Sequence, residues 1–359
     1  MKELNFIGLL MVVVSSQLLI QCTSDPIAGP AGTDGIDGID GVDGVDGTDA
    51  ATASCVACHS NSFRDPIRDA YAMSFHATSG LERFGNRGDD PDDPDPLAQR
   101  CSRCHTNEGF IDYAQGGLLA VSSVGYSGAT AITCTTCHNV HRSFDFENDG
   151  NDFALRKIDP VTLETFPDYT IDLGGHSNLC VNCHQPRDLS PPTDNGMGMD
   201  SITNTRFGPH HSPQSTIFEG IQLVLVAGSE AIPGVGTSEH RQQASCVICH
   251  MGETTDGTDG SHTFIPTLNA CIQCHPGTTS FDRNGVQTEV TALLDELGVL
   301  LFAEGVVDAN GSSIVGLYPI KTVNAYWNWK SVSEDGSKGI HNPDYIRAIL
   351  KNSIESMQN

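Results

Sequence analysis

The stretch CVICH at 246–250 is one of six copies of the pattern Cys-x-x-Cys-His in this chain of 359 residues. The other copies are CVACH at 55–59, CSRCH at 101–105, CTTCH at 134–138, CVNCH at 180–184 and CIQCH at 271–275. This pattern is typical of covalent attachment of a c-type haem. One turn of helix brings the two thiols to the two vinyl groups and leaves the following imidazole beneath the iron.

The histidine that follows every cysteine pair favours haem attachment over a zinc ribbon or a thioredoxin-like redox pair, because neither of those requires it. Twelve of the thirteen cysteines lie in the motifs, and the remaining one is Cys22. The predicted attachment residues are Cys55, Cys58, Cys101, Cys104, Cys134, Cys137, Cys180, Cys183, Cys246, Cys249, Cys271 and Cys274. The predicted proximal iron ligands are His59, His105, His138, His184, His250 and His275.

The composition also points to haem as part of the core. The chain is 38% hydrophobic but only 6% aromatic, which is little for a core of ordinary side chains at this length. From Cys55 to Ile349 there are about 50 residues for each haem, so nearly every segment should contact a porphyrin. We therefore expect short helices, loops and little sheet, and an unfolded chain when haem is not attached.

The chain is strongly acidic, with 45 Asp and Glu against 19 Lys and Arg and a formal charge of −26. Such a field repels nucleic acid and anionic membrane surfaces and favours cationic partners or metal ions. Solubility of an exported protein explains the charge equally well.

Residues 1–21 have the basic start and apolar run of a secretory signal peptide. The sequence LIQC at 19–22 resembles a bacterial lipobox, in which Cys22 becomes the lipidated first residue, although Gln21 departs from the usual small residue. Cleavage after Ser16 is the alternative, but it would leave Cys22 as an unpaired thiol in an exported protein. We therefore predict a lipoprotein.

Residues 29–49 consist of seven triplets with glycine at every first position and aspartate closing the last six. The period is that of collagen, but a single proline and stacked like charges argue against a stable triple helix. We predict an extended spacer over 22–50 that separates the haem domain from a lipid anchor. Such spacers resemble those of surface lipoproteins in some Gram-negative bacteria.

Eight histidines lie outside the motifs and are candidates for the distal iron position. They are His76, His141, His176, His210, His211, His240, His262 and His341. Histidine on both faces of an iron leaves no position for substrate, which is the arrangement of an electron carrier. Methionine is the alternative distal ligand, with Met197, Met199 and Met251 as candidates.

Local spacing restricts some of these histidines. His141 follows His138 by three residues and can reach a neighbouring haem but not its own. His176 lies directly before a motif and is one of the two spares. His210 and His211 are adjacent and cannot easily serve one haem together.

Two acidic stretches are weak candidates for calcium. The loop GDDPDDPDP at 88–96 cannot form a helix or an inner strand. Residues 145–150 begin like an EF-hand loop, but Glu147 and Arg156 occupy its third and twelfth places, where the pattern needs Asp or Asn and Glu.

Helix signals are few. Asp65 and Pro66 predict the start of a helix that carries Tyr71, Phe75 and His76. Two amphipathic helices are predicted near the carboxyl terminus, and we expect them to brace the haem domain. Their apolar positions are Val286, Val290, Leu293, Leu294, Leu297 and Leu301 in the first and, after Asn342 and Pro343, Ile346, Ile349, Leu350 and Ile354 in the second.

Several segments resemble multihaem c-type cytochromes, the group that includes nitrite reductase, hydroxylamine oxidoreductase and outer-surface electron conduits. They are CHNVH at 137–141, GPHHSPQ at 208–214, SHTF at 261–264, GVQTEVTALLDELG at 285–298 and SKGIHNP at 337–343. The resemblance implies a multihaem cytochrome c fold, with short helices and loops wrapped around stacked haems and a helical carboxyl end. It also implies distal ligands at His76, His141, one of His210 and His211, His240, His262 and His341.

The reductases of this group are similar in having one haem open to substrate, in nitrite reductase commonly bound by a motif that ends in lysine. All six motifs here end in histidine, which disfavours catalysis. The predicted function is electron transfer through six haem c groups in periplasmic or extracellular respiration. The alternatives are a reductase of nitrite, hydroxylamine or a sulfur oxyanion, and a subunit of a cytochrome filament.

The predicted organisation is a signal peptide at 1–21, an anchor and spacer at 22–50, a hexahaem domain at 51–280 and packing helices at 281–359. The expected location is the outer membrane or cell surface, with the periplasmic side as alternative. The expected partners are other redox proteins, extracellular metal or mineral acceptors, the membrane through the anchor, and further copies of the chain.

Overall fold

The computed structural model describes residues 50–78, 98–126, 128–143, 148, 152–187, 189–193 and 196–359. The chain divides into two compact units, Met1–Cys58 and His59–Asn359. In the first unit the described residues belong to helix α1 (Ala50–His59). The predicted signal peptide, Cys22 and the spacer up to residue 49 lie outside the described residues, as do the calcium candidates 88–96 and, apart from Asn148, 145–150.

The described residues are mainly helical with little sheet, as the sequence predicts. Before residue 280 the helices are short: α2 (Asn61–Ala72), α3 (Phe75–Thr78), α4 (Ala98–His105), α5 (Asn107–Gly116), α6 (Cys134–Cys137), α7 (His176–Val181), α8 (Gln214–Glu219), α9 (Glu239–Gln243), α10 (Cys246–His250) and α11 (Leu268–Cys274). Three longer helices follow: α12 (Val286–Ala303), α13 (Ile320–Asp335) and α14 (Pro343–Gln358). None of the described helices is both long and apolar enough to span a membrane.

The described residues also form three short 3-10 helices, Leu118–Ala120, Ser261–Thr263 and Arg283–Gly285, and two small antiparallel sheets. Strands β1 (Val161–Thr162) and β2 (Thr170–Ile171) form a hairpin in which Val161 pairs with Ile171. Strands β3 (Met199–Ile202) and β4 (Gly316–Pro319) pair over a long separation in sequence. Because β4 leads directly into α13, the second sheet fixes where that helix begins.

The helix predicted at Asp65 and Pro66 differs in its bounds. Helix α2 begins at Asn61, because the Ser60 carbonyl accepts hydrogen bonds from the N–H groups of residues 63 and 64 and closes a turn ahead of Pro66. The chain then turns at residues 73–74, where the Ser74 hydroxyl accepts from the Ala77 N–H at 3.2 Å. His76 therefore lies on α3 and not on the predicted helix.

The two predicted carboxyl-terminal helices are present as α12 and α14, and α13 lies between them without having been predicted. These three helices, strand β3 and the chain near residues 207–224 form one apolar cluster, which we call the C-terminal core. Its largest fully buried members are Trp327, Tyr326, Tyr345, Ile202, Ile217, Leu297, Leu301, Ile346, Ile349 and Leu350.

Helix α13 also satisfies the backbone of an irregular segment at 222–224. The Trp327 indole N–H donates to the Gln222 carbonyl at 3.0 Å. The Asn328 side chain accepts from the Val224 N–H at 2.7 Å and donates to the Val224 carbonyl at 2.9 Å. Buried backbone groups must be paired, so these side chains allow a loop to cross the core.

A test of the C-terminal core is Trp327→Ala in the haem-loaded protein. The side chain is fully buried, so the cavity and the unpaired Gln222 carbonyl should lower the free energy of unfolding by about 3–5 kcal/mol. Denaturation followed by far-ultraviolet circular dichroism measures the loss. The control is Val299→Ala on α12, which is 69% exposed and should change stability by less than about 0.5 kcal/mol. Equal losses in both variants would contradict the assignment of Trp327 to the core.

Candidate haem-binding sites

Each motif lies at or near the carboxyl end of a short helix. Helices α4 and α10 end at the motif histidine itself, and α6 and α11 end one residue before it. At three motifs the histidine N–H donates to the carbonyl of the first cysteine, and the distances are 2.8 Å for His138, 2.9 Å for His184 and 2.8 Å for His275. This bond closes one helical turn, so the two cysteines and the histidine project from one side.

Five motif histidines each face a histidine from a distant part of the chain, with ring centroids 6.0 to 6.3 Å apart. The pairs are His59 with His141 at 6.0 Å, His184 with His76 at 6.2 Å, His138 with His262 at 6.3 Å, His275 with His240 at 6.1 Å and His250 with His341 at 6.2 Å. Each pair contains one motif histidine and one of the eight others. His141 lies beside His59 and not beside His138, its near neighbour in sequence.

The spacing of these rings fits an axial pair of ligands. Two imidazoles that bind one metal ion from opposite sides, with metal–nitrogen bonds of about 2 Å, have ring centroids roughly 6 Å apart. A porphyrin iron takes its two axial ligands in this way. Among the residues that the structure describes, no group of three or more His, Cys, Asp or Glu side chains is placed to hold a bare metal ion. The side chains present therefore fit haem, and their role as ligands stays a prediction.

Hydrogen bonds at Nδ1 orient several of these rings. The acceptors are backbone carbonyl oxygens, which are Phe153 for His138 at 2.7 Å, Asp152 for His141 at 2.7 Å, Ile340 for His240 at 2.6 Å and Phe264 for His250 at 2.9 Å. A carbonyl can only accept, so Nδ1 carries the proton and Nε2 keeps its lone pair. These rings are therefore fixed in the tautomer that binds a metal through Nε2.

His341 differs because its Nδ1 donates to a carboxylate. The acceptor is Asp335 Oδ1 at 2.5 Å, and the Asp335 side chain is fully buried. Burial lowers the pKa of His341, but the Asp335 carboxylate outweighs burial and the pKa is raised overall. Sequence reasoning did not find Asp335, because no spacing rule connects it to a motif.

Burial keeps other candidate ligands neutral. It lowers the pKa of His184 to about 4, and it lowers the pKa of His105 to about 4 with the Arg187 guanidinium adding to the effect. The pKa of His76 is lowered for the same reason. Neutral imidazole is the form that binds a metal, so these rings are ready to act as ligands at neutral pH.

His210 and His211, which are adjacent in sequence, both lie near the motif at 101–105. Burial lowers the pKa of His210 to about 4, and the charges of Arg187, His211 and His105 act in the same direction. His210 and His211 both adopt left-handed backbone conformations, with φ of 60° and 58°. The His211 ring is exposed and bonds to the Glu334 carboxylate, whereas His210 is partly buried.

His176, which the sequence predicts to be a spare, packs its ring against Phe153, with centroids 5.2 Å apart. It is also the first residue of α7 and thus begins the helix that carries Cys180. Its predicted role outside the ligand set stays a prediction.

Thiols of different motifs lie close enough to shift each other's pKa at two points. A hydrogen bond from Cys183 lowers the pKa of the Cys104 thiol to about 6, and Arg187, whose Nη1 lies 2.8 Å from that sulfur, acts in the same direction. Cys180 and Cys246 are hydrogen-bonded in the same way, which raises the pKa of Cys180 and lowers that of Cys246. The motif at 180–184 therefore adjoins those at 101–105 and 246–250.

The chain is similar to the crystal structure of the outer cell wall cytochrome OcwA, with 21% sequence identity and a TM-score of 0.48. The similarity covers 81% of this chain and 50% of that one, so the chain spans about half the length of the structure that it matches. No protein-family model and no curated protein sequence matches the chain.

A test of the ligand pairs is His240→Ala, which removes the ring facing His275. One iron should lose its distal ligand, so about one haem in six should become high-spin in the electron paramagnetic resonance (EPR) spectrum. The control is His176→Ala, which removes a histidine that packs on Phe153 and should leave the spectrum unchanged. A haem assay with alkaline pyridine should give the same haem content for both variants. A low-spin His240→Ala protein with full haem content would exclude this pair.

Proposed function

We propose that this chain is an electron carrier with six covalently attached c-type haems, most of them bound by two histidines. The observation that carries the proposal is the set of five ring pairs, each joining a motif histidine to a distant histidine at 6.0 to 6.3 Å. When bound, haem supplies reversible one-electron oxidation and reduction of its iron. With haem bound, the paired histidines would occupy the positions on the iron that a substrate would need.

The protein contributes a fixed orientation and a fixed tautomer of the imidazole rings. Nδ1 hydrogen bonds to carbonyl oxygens hold the rings of His138, His141, His240 and His250 in one tautomer. Rigid ligands of this kind suit repeated electron transfer.

Neighbouring attachment points support transfer from one haem to the next. The thiols of Cys104 and Cys183 are close enough to shift each other's pKa, as are those of Cys180 and Cys246. His141, three residues after the motif histidine His138, faces the motif histidine His59. Through these contacts the motif at 180–184 adjoins two others, and the first motif is linked to the third, so electrons could pass along a series within the molecule.

The test is the low-temperature EPR spectrum of the fully oxidised haem-loaded protein, together with a haem count. Six haems, all low-spin, are expected because each iron should carry two protein ligands. A high-spin signal from about one haem in six that responds to nitrite or hydroxylamine would overturn the proposal and favour the reductase alternative. The site of His105, His210 and His211 would then be the first to examine. If low-spin character depended on protein concentration, a filament that shares histidines between copies would be favoured.

We also propose export and anchoring through lipidated Cys22, with redox proteins or extracellular metal or mineral acceptors as partners. The support is the sequence LIQC at 19–22, followed by the glycine-rich acidic spacer. The formal charge of −26 favours cationic partners and metal ions, and it disfavours nucleic acid.

The anchor is tested by Cys22→Ser in the full chain expressed with its leader. The natural protein should partition into the detergent phase of a Triton X-114 extract, whereas the variant should remain in the aqueous phase because it cannot be acylated. The control is Ser24→Ala, which should behave like the natural protein. Aqueous partitioning of the natural protein, with a mature amino terminus at Gln17, would instead support cleavage after Ser16.

A further inference from the structure

The histidine at 341 has a different hydrogen-bond partner from most of its counterparts. His138, His141, His240 and His250 donate from Nδ1 to backbone carbonyls. His341 donates to Asp335 Oδ1 at 2.5 Å. Because a carboxylate is a much stronger acceptor than a carbonyl, the two arrangements differ in how much negative charge the imidazole receives.

Asp335 is held in place as a buried anion. It is the last residue of α13, 4% exposed as a residue and fully buried in its side chain. Its second oxygen accepts from the Ser337 hydroxyl and, at 3.3 Å, from the Ser337 N–H. The Ser337 hydroxyl oxygen in turn accepts from the His341 N–H at 3.2 Å. The carboxylate therefore has partners on both oxygens, and its position relative to His341 is fixed.

The position of His341 connects this carboxylate to a haem site. The His341 ring faces His250 of the CVICH motif with centroids 6.2 Å apart, and the Cys246 thiol is close enough to influence its pKa. A carboxylate that accepts a hydrogen bond from Nδ1 makes Nε2 more basic. A more basic ligand favours ferric over ferrous iron, and the low dielectric of a buried site strengthens the effect.

We propose that Asp335 lowers the reduction potential of the haem attached at Cys246 and Cys249. Asp335 is a positioning residue, because it acts on the iron only through His341. This inference rests on the proposed function, since it requires His250 and His341 to bind one iron. The step concerned is a one-electron transfer in which the ferric iron gains an electron and the donor, a neighbouring haem or dithionite, loses one. No bond breaks, and the proton stays between His341 Nδ1 and Asp335.

The test is a spectroelectrochemical titration of the haem-loaded protein with three variants. Asp335→Asn keeps the shape of the side chain but removes its charge. The reduction potential of one haem in six should therefore rise by about 59 mV, which for one electron is about tenfold in the equilibrium constant of reduction. Ser337→Ala removes a hydrogen-bond donor to the carboxylate and should shift the same haem in the opposite direction by a smaller amount. Asp344→Asn is the control, because it removes an equal charge from a solvent-exposed carboxylate three residues from His341, and it should leave that haem unchanged.

The outcomes separate tuning from a structural effect. A structural disturbance would shift the reduction potential of this haem in the same direction in Asp335→Asn and in Ser337→Ala. That result would overturn the proposal. Titrations of Asp335→Asn and Asp344→Asn that coincide would also overturn it.

A fourth variant, His341→Ala, separates this inference from the proposed function. One new high-spin haem with full haem content is expected. If this variant stays low-spin, His341 is not a ligand and the pairing with His250 fails. If it becomes high-spin while Asp335→Asn titrates like the natural protein, only the tuning by Asp335 fails.

Discussion

The described chain holds five pairs of facing imidazole rings with their centroids about 6 Å apart. This centroid distance is too long for a hydrogen bond between the rings, and it matches the distance between two imidazoles that bind one metal ion from opposite sides. It must be held by groups behind the rings. The Nδ1 hydrogen bonds from His138 to Phe153 and from His240 to Ile340 have this role, since each fixes the orientation of a ring. Loops are sufficient for this purpose because a single carbonyl supplies the acceptor.

The C-terminal core gives some of these loops a rigid base. Helix α13 is packed along its length by Tyr326 and Trp327, and it ends at Asp335. In the loop that follows, Ile340 supplies the carbonyl for His240, and the next residue, His341, faces His250. Two candidate haem sites are thus positioned by one short loop between two long helices. Ordinary side-chain packing and two candidate haem sites are therefore connected through the loop that follows α13.

The sequence was sufficient for the inventory of the candidate site but not for its assembly. The six motifs and the pool of other histidines follow from local spacing, and helices α12 and α14 follow from apolar periodicity. The partner of His59 could not be derived, because a loop can carry His141 to any neighbouring haem. Helix α13 was missed because it is buried on several sides, so polar residues such as Asn328 interrupt its apolar pattern while bonding inside the core. Asp335 was missed because its contact with His341 is tertiary.

The acidic charge of the chain has two consequences that depend on burial. Carboxylates that are exposed to solvent act through water, where salt reduces their influence beyond about 8 Å at physiological ionic strength. They can steer partners but have little effect on an individual iron. Asp335 is enclosed by protein and bonded directly to a candidate ligand, so salt screens it far less. In a chain of formal charge −26, the proposed effect of Asp335 on one site is therefore separate from the effect of the surface charge, because this carboxylate is removed from water.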